Sequence, residues 1–221
     1  MAVYKASEFT GRPLTLNKHQ QRTEATKRKL LRSALRVFSR DGFEATRIDD
    51  IAAEAGYTRG AFYAHFPSKE ALFFALVEDQ SGKHVLAFSR TFEKCRTAEE
   101  RRLAFRNYYV SKACDRKWSI LILEFKLYAL RRPKLRAKLA DNYRSIRMNM
   151  RWGELGRTLE GQAGWPAENK ELIRVILQTM LHGLVVERAY DPSSVSETEL
   201  STLLGMVFDV MFTLPPLGRE V

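Results

Sequence analysis

The sequence predicts an all-α protein: a small N-terminal head of three helices followed by a larger helical body. Three observations predict it. Apolar residues recur at three- and four-residue steps along most of the chain, stop and cap residues fall between these runs, and no Val/Ile/Thr-rich alternating stretch is bracketed by turns. With 221 residues and 45% apolar side chains the chain is long enough for a sizeable core.

Residues 1–22 read as a flexible basic tail, polar and without an apolar stripe. From Glu24 onward Leu30, Leu31, Ala34, Leu35, Val37 and Phe38 lie on one face of a helix that ends before Asp41 and Gly42. Its other face is cationic, since eight basic residues lie between Lys18 and Arg40 against the single acid Glu24. The Thr46 hydroxyl is expected to cap the next helix, with Asp49 at its positive end. Ile48, Ile51, Ala52 and Ala55 carry that helix to Gly56, a residue suited to a left-handed stop. Thr58 is expected to cap Arg59 to His65, which buries Phe62 and Phe66 and is closed by Pro67.

Ser68 opens a long amphipathic helix running from Lys69 toward Cys95. Helices are then expected at about 98–115, 118–131, 133–158, 167–189 and 197–213, with Pro133 in a first turn and Gly161, Gly164 and Pro166 in a loop. The division expected is 1–22 tail, 23–70 head and 71–221 body.

Composition narrows the function. Thirty-seven Lys and Arg against 26 acids give a net charge of +11, and nucleic acid is the commonest partner of such a surface. The longest run without charge, Val175 to Val186, has twelve residues. A bilayer-spanning helix needs about 18 or more, so no membrane partner is expected. The start lacks the apolar core of a secretory signal, and Cys95 and Cys114 sit within helical pattern; a reducing cytoplasm is the expected compartment. Phosphate-loop, G-x-G-x-x-G, G-x-S-x-G and H-E-x-x-H motifs are missing, no Glu stands three residues before any His, and two cysteines nineteen apart make no zinc site. No catalytic residue, metal or cofactor is expected.

The stretch Thr46 to Phe66 remains, two short helices joined by Ala55-Gly56-Tyr57-Thr58. Lengths and the small Ala52 and Ala53 fit a helix-turn-helix whose second helix enters the major groove, and equally a packing corner. The residues favour the former. Gly60 and Ala61 allow a helix backbone close to a phosphate or a thymine methyl, while Arg59, Tyr63, His65 and Lys69 supply donors at consecutive turns.

The run ATRIDDIAAEAGYTRGAFYAHFPSKEAL from Ala45 to Leu72, preceded by the helix ending at Phe43, resembles the DNA-binding domain of TetR-family transcriptional regulators. The resemblance covers about residues 24–72. It implies that Arg47, Tyr63, His65 and Lys69 hold phosphates and that Tyr57, Thr58, Arg59, Gly60 and Ala61 face base edges or press the recognition helix into the groove. Ala64 departs from the larger side chain of many relatives. For the body it implies a ligand cavity and a dimer interface. Phe105, Tyr109, Phe125, Met148, Trp152 and His182 fall on helices that line the cavity in relatives, where a plain aromatic core is the competing assignment.

Ile173, Ile176, Leu177, Met180 and Leu184, with Leu200, Leu203, Leu204, Val207, Phe208 and Met211, wrap too much of the last two helices for one-sided burial. A two-fold four-helix bundle would use the surplus, as would a thick monomer core; Gly183 and Gly205 would let helices cross closely. From Ser81 to Val221 basic residues exceed acids 24 to 16, which favours an anionic effector, and the aromatics favour a hydrophobic one. The whole implies a homodimeric repressor that leaves a palindromic double-stranded operator when a small molecule binds. An activator, a non-specific DNA binder and a helical carrier or enzyme are the alternatives on this scaffold.

Overall fold

The computed structural model describes residues 17–112, 115–149 and 170–213. Among them are nine helices and no strand: α1 (Lys18–Asp41), α2 (Ile48–Glu54), α3 (Arg59–Tyr63), α4 (Lys69–Phe92), α5 (Ala98–Ser111), α6 (Arg116–Leu130), α7 (Pro133–Asn149), α8 (Lys170–Tyr190) and α9 (Glu197–Thr213). The expected all-helical class is what the chain adopts. The tail as far as residue 16 and the continuation of α7 toward residue 158 lie outside the described residues.

α1 starts at Lys18, twelve residues before Leu30 opens its apolar stripe. Asn17 Oδ1 accepts the Gln20 N–H at 2.8 Å and Gln20 Oε1 accepts the Asn17 N–H at 2.9 Å, a capping box that replaces missing backbone partners. Its end is fixed by Gly42, at φ +80°, whose N–H reaches the Phe38 carbonyl at 2.9 Å. Thr46 does not cap α2. Its hydroxyl donates to the Gly42 carbonyl at 2.6 Å and is 3% exposed, while Arg47 occupies the cap position and Asp50 Oδ2 accepts the Arg47 N–H at 3.3 Å. A threonine hydroxyl can serve the turn behind it or the helix ahead, and here the tight loop takes it.

The turn between α2 and α3 follows the expected chemistry. Gly56 has φ +74°, with Tyr57 N–H on the Ala52 carbonyl at 2.8 Å and Gly56 N–H on the Ala53 carbonyl at 2.9 Å, the paired bonds of a Schellman stop. Thr58 Oγ then accepts the Ala61 N–H at 3.2 Å, and Ser68 Oγ accepts the Ala71 N–H at 3.1 Å to open α4.

Two hydrophobic cores organise the described residues, and they do not divide at residue 70. The first joins Leu30, Val37 and Phe38 of α1, Phe43, Ile51 of α2, Phe62 of α3 and Leu72 and Phe73 of α4 to Leu121, Ile122, Phe125 and Tyr128 of α6 and Leu139 of α7. Phe43 is its hub, with ring centroids 5.2 Å from Phe38, 5.2 Å from Phe73, 5.0 Å from Phe125 and 4.9 Å from Tyr128. A fully buried phenylalanine contributes roughly 2–3 kcal/mol by burial, so α6 is a substantial part of the head's stability. The second core packs Phe105 and Tyr109 of α5 against Ile173, Leu177, Leu181 and Val185 of α8 and Leu200, Leu204 and Phe208 of α9.

α6 spans the two parts, packing against α8 as well as α1 and α7. Polar contacts tighten its grip on the head. Glu124 accepts the Phe43 N–H at 3.0 Å, Arg132, just past the end of α6, pairs with Glu44 at 2.7 Å, and the Tyr128 hydroxyl donates to Glu70. α5 and α9 are pinned through Asp209, which pairs with Arg102 and Arg106 at 2.8 Å each. Gly205 makes room for that contact: the Arg106 guanidinium of α5 lies over it where a Cβ would stand.

Candidate nucleic-acid interface

The outer face of α2 and α3 collects most of the side chains assigned to DNA. Thr58 fixes the first turn of α3, and Phe62, fully buried, fixes its rotation. That phase leaves Arg59, Gly60, Tyr63 and Ala64 exposed, with Ala61 half-buried. A Cβ built at Gly60 would meet nothing nearer than Thr58 Oγ, 3.7 Å away. The fold therefore gives no internal reason for a glycine there, although glycine costs a helix about 1 kcal/mol relative to alanine.

Charge on this face is arranged across the turn. Arg59 Nη1 donates to Asp49 Oδ2 at 2.8 Å and Nη2 to the Tyr63 hydroxyl at 3.4 Å, with the guanidinium 5.5 Å from the Tyr63 ring centroid. Asp49 raises the Arg59 pKa further above its ordinary value. Arg47 sits at the N-terminal cap of α2 with its side chain well exposed, 4.0 Å from Asp49. Sequence alone offers no signal for the Asp49–Arg59 pair, because ten residues and a turn separate its members.

Other assigned residues are held inward. Tyr57 packs against the first core, and its hydroxyl lies 3.3 Å from Thr26 Oγ of α1. His65 is half-buried, and burial together with nearby Lys27 pushes its pKa down. Lys69 spends its ammonium inside the protein. It donates to the carbonyls of Phe43 at 2.7 Å, Glu44 at 3.0 Å and Thr46 at 2.8 Å, lies 4.8 Å from the Phe43 ring centroid, and has its pKa lowered by burial. An ammonium has three donors, and these three acceptors engage all of them.

In the body, Phe105 and Tyr109 lie in the second core, where the Tyr109 hydroxyl donates to the Leu177 carbonyl at 2.8 Å. Phe125 lies in the first core, stacked on Phe73 at 4.0 Å, and so is not brought together with them. His182 is 6% exposed, and its Nδ1 has no hydrogen-bond partner among the described residues. Burial, with Lys126 nearby, pushes its pKa down to about 4. The Met148 side chain and Trp152 lie outside the described residues.

On α8 and α9 helical phase separates two sets of apolar residues. Ile173, Leu177, Leu200, Leu204 and Phe208 are buried in the chain's own core, where α5 covers them, and Ile176, Leu184, Val207 and Met211 are half-buried. Facing outward are Met180, Leu203, Leu172 and Val175, with Met206 and Val210, which were not assigned from sequence. Gly183 lies on the same outward side of α8 with nothing within 4 Å of a built Cβ. Among the described residues no group of His, Cys, Asp and Glu could hold a metal ion, and no helix is long and apolar enough to cross a membrane.

Comparison with known proteins gives three kinds of likeness. Residues 30–76 match the family described as bacterial regulatory proteins, tetR family, and residues 98–209, just over half of the chain, match the C-terminal domain of BetI-type transcriptional repressors. The HTH-type transcriptional regulator YerO of Bacillus subtilis is 46% identical over 52 residues, 24% of this chain and 18% of that protein. The chain spans about a fifth to a third of the length of the curated relatives it matches. In solved structures, FadR from Bacillus subtilis in complex with stearoyl-CoA aligns with TM-score 0.52 at 17% identity, covering 85% of this chain and 99% of that one. A transcriptional regulator from Saccharomonospora viridis in complex with choline aligns with TM-score 0.61 at 19% identity, covering 84% and 96%. At such identity the structures bear on the fold alone.

Proposed function

This chain belongs to the TetR family of bacterial regulatory proteins, and from that premise we propose that it is a DNA-binding transcriptional regulator, a repressor released from a palindromic operator by a small-molecule effector. The observation that carries the DNA assignment is the bare Gly60–Ala61 surface of α3, flanked by Arg59 and Tyr63 and adjoined by Arg47 at the head of α2. A helix so exposed enters the major groove with its N-terminal residues on base edges, while Arg47 takes a phosphate. Tyr57, Thr58 and His65 shape the entry, and Lys69 acts by holding the 43–46 loop from which Arg47 projects.

Homodimerisation through α8 and α9 is supported by the outward stripe of Leu172, Val175, Met180, Leu203, Met206 and Val210 around the open Gly183. A two-fold bundle would bury these residues and set two α3 helices about one DNA turn apart, ~34–36 Å. The effector belongs in the body, where His182 has a buried nitrogen still to be satisfied and Phe105 and Tyr109 provide aromatic surface. FadR in complex with stearoyl-CoA and the Saccharomonospora regulator in complex with choline hold molecules of unlike chemistry on a similar fold. The basic surplus of the body favours an anionic one. Its action reaches the head through α4, continuous with the head, and through α6, which shares the head's core. The protein acts in the cytoplasm, with no catalytic role, metal or cofactor.

The test is a duplex selected from a random-sequence pool by the full-length protein, with affinity measured at stated salt. Replacing Arg59 and Tyr63 together by alanine should abolish preference for that duplex over a mixed sequence. Unchanged discrimination would overturn the proposal. In sedimentation, Met180→Lys with Leu203→Lys should convert a dimer to a monomer without loss of helicity.

A further inference from the structure

α2 opens with two acids in tandem, and they do different work. Both suit the positive end of a helix. Asp50 turns back and accepts the Arg47 N–H, so it completes the missing cap. Asp49 is not needed for that bond. Its Oδ2 reaches across the turn to Arg59 Nη1 at 2.8 Å and lies 4.0 Å from Arg47 Nη2, between two of the cations of the proposed DNA surface.

A carboxylate at this place opposes the general attraction of a polyanion. An exposed arginine without a partner is drawn to any phosphate, whatever the sequence. Arg59 is held at three points: the Asp49 carboxylate, the Tyr63 hydroxyl and the Tyr63 ring. Its side chain is nevertheless 58% exposed. A guanidinium fixed in this manner presents its remaining N–H groups in a set plane, as bidentate recognition of guanine requires, and has less freedom to follow the backbone.

We propose that Asp49 is a specificity-determining residue, whose carboxylate orients the Arg59 guanidinium for base recognition and repels the DNA backbone, lowering total affinity while raising discrimination. This rests on the DNA-binding assignment above, and it adds a repulsive element to the attractive ones.

The test compares full-length wild type, D49N and D49E on the duplex selected by wild type and on a mixed-sequence duplex of equal length, across a salt series. Asp49→Asn should bind the mixed duplex several-fold more tightly, steepen its log affinity against log salt slope by about 1 per protomer, and reduce the ratio between duplexes several-fold. Asp49→Glu, which keeps the charge, should retain most of the ratio. In an Arg59→Ala background Asp49→Asn should still steepen the salt slope but leave base preference unchanged, a cycle that isolates the pair. Thermal melts of each variant confirm a folded head.

Equal tightening on both duplexes, or an unaltered ratio, would overturn the assignment of Asp49 while leaving the DNA-binding assignment standing. A helix-end role alone would appear as a lower melting temperature with the ratio intact. If wild type enriches no sequence from the pool, the regulator assignment falls and this one falls with it.

Discussion

Gly60 and Lys69 show what single residues contribute at the head, and in opposite ways. Gly60 sits where an alanine fits without a clash, its Cβ at ordinary contact distance from Thr58 Oγ, so Gly60→Ala should stabilise the protein by about 0.5–1 kcal/mol in denaturant titration. The same change should weaken binding to the selected duplex, because the added methyl stands where the groove wall must approach. A variant both more stable and equally tight would show that nothing comes close to α3. Lys69→Met should cost about 1–3 kcal/mol of stability, since three carbonyls lose a shared donor. Once the variant is folded, its salt slope on DNA should match wild type, whereas Arg47→Ala should lower the slope by about 1 per protomer. Thr58, Gly56 and Ser68 were legible as caps because each stands at the border of a periodic run and has one local use. Thr46 was not, for its hydroxyl had two acceptable partners and the loop geometry chose between them.

Helix by helix, apolar spacing located every described element, and its failures have identifiable causes. The first turns of α1 carry no apolar stripe, so only the reciprocal Asn17–Gln20 bonds reveal them. α8 contains the uncharged run Val175–Val186, in which the polar residues do not share a side, Thr179 being exposed, Gln178 half-buried and His182 buried, and the buried and outward faces therefore could not be told apart. α6 is the element whose role was least visible. Its Glu124 caps an amide 81 positions earlier, a bond without local signal. Glu124→Ala should raise the hydrogen-exchange rate at the Phe43 amide and leave exchange within α9 unaltered; equal protection in both would deny α6 its hold on the loop.

Taken whole, the molecule couples acid sensitivity to its burial pattern. His182 has a folded pKa of about 4 against an ordinary 6.5, so the unfolded chain takes up its proton first as pH falls. The stability contributed by the neutral buried ring is complete above pH 6.5 and is lost as pH drops toward 4, amounting to about 2 kcal/mol at pH 5. Denaturant midpoints at pH 7.5 and 5.0 should differ by correspondingly less in His182→Leu. Domain organisation was legible only in part. The head motif stood out from residue 46 to 72, but shared burial across the expected border at 70 depends on Phe43 meeting Phe125 and Tyr128, and side chains so far apart in sequence leave no pattern to read.

That shared aromatic hub constrains anyone who would build hybrid biosensors from this chain. A cut at residue 70, with a foreign sensor attached behind it, would strip Phe43 of three of its four ring neighbours, Phe73, Phe125 and Tyr128, and open a void beneath the reading head. A workable graft must carry the first turns of α4 with Phe73 and the stretch from Leu121 to Arg132 along with the head, or else supply replacement helices bearing three aromatic rings and a carboxylate in register.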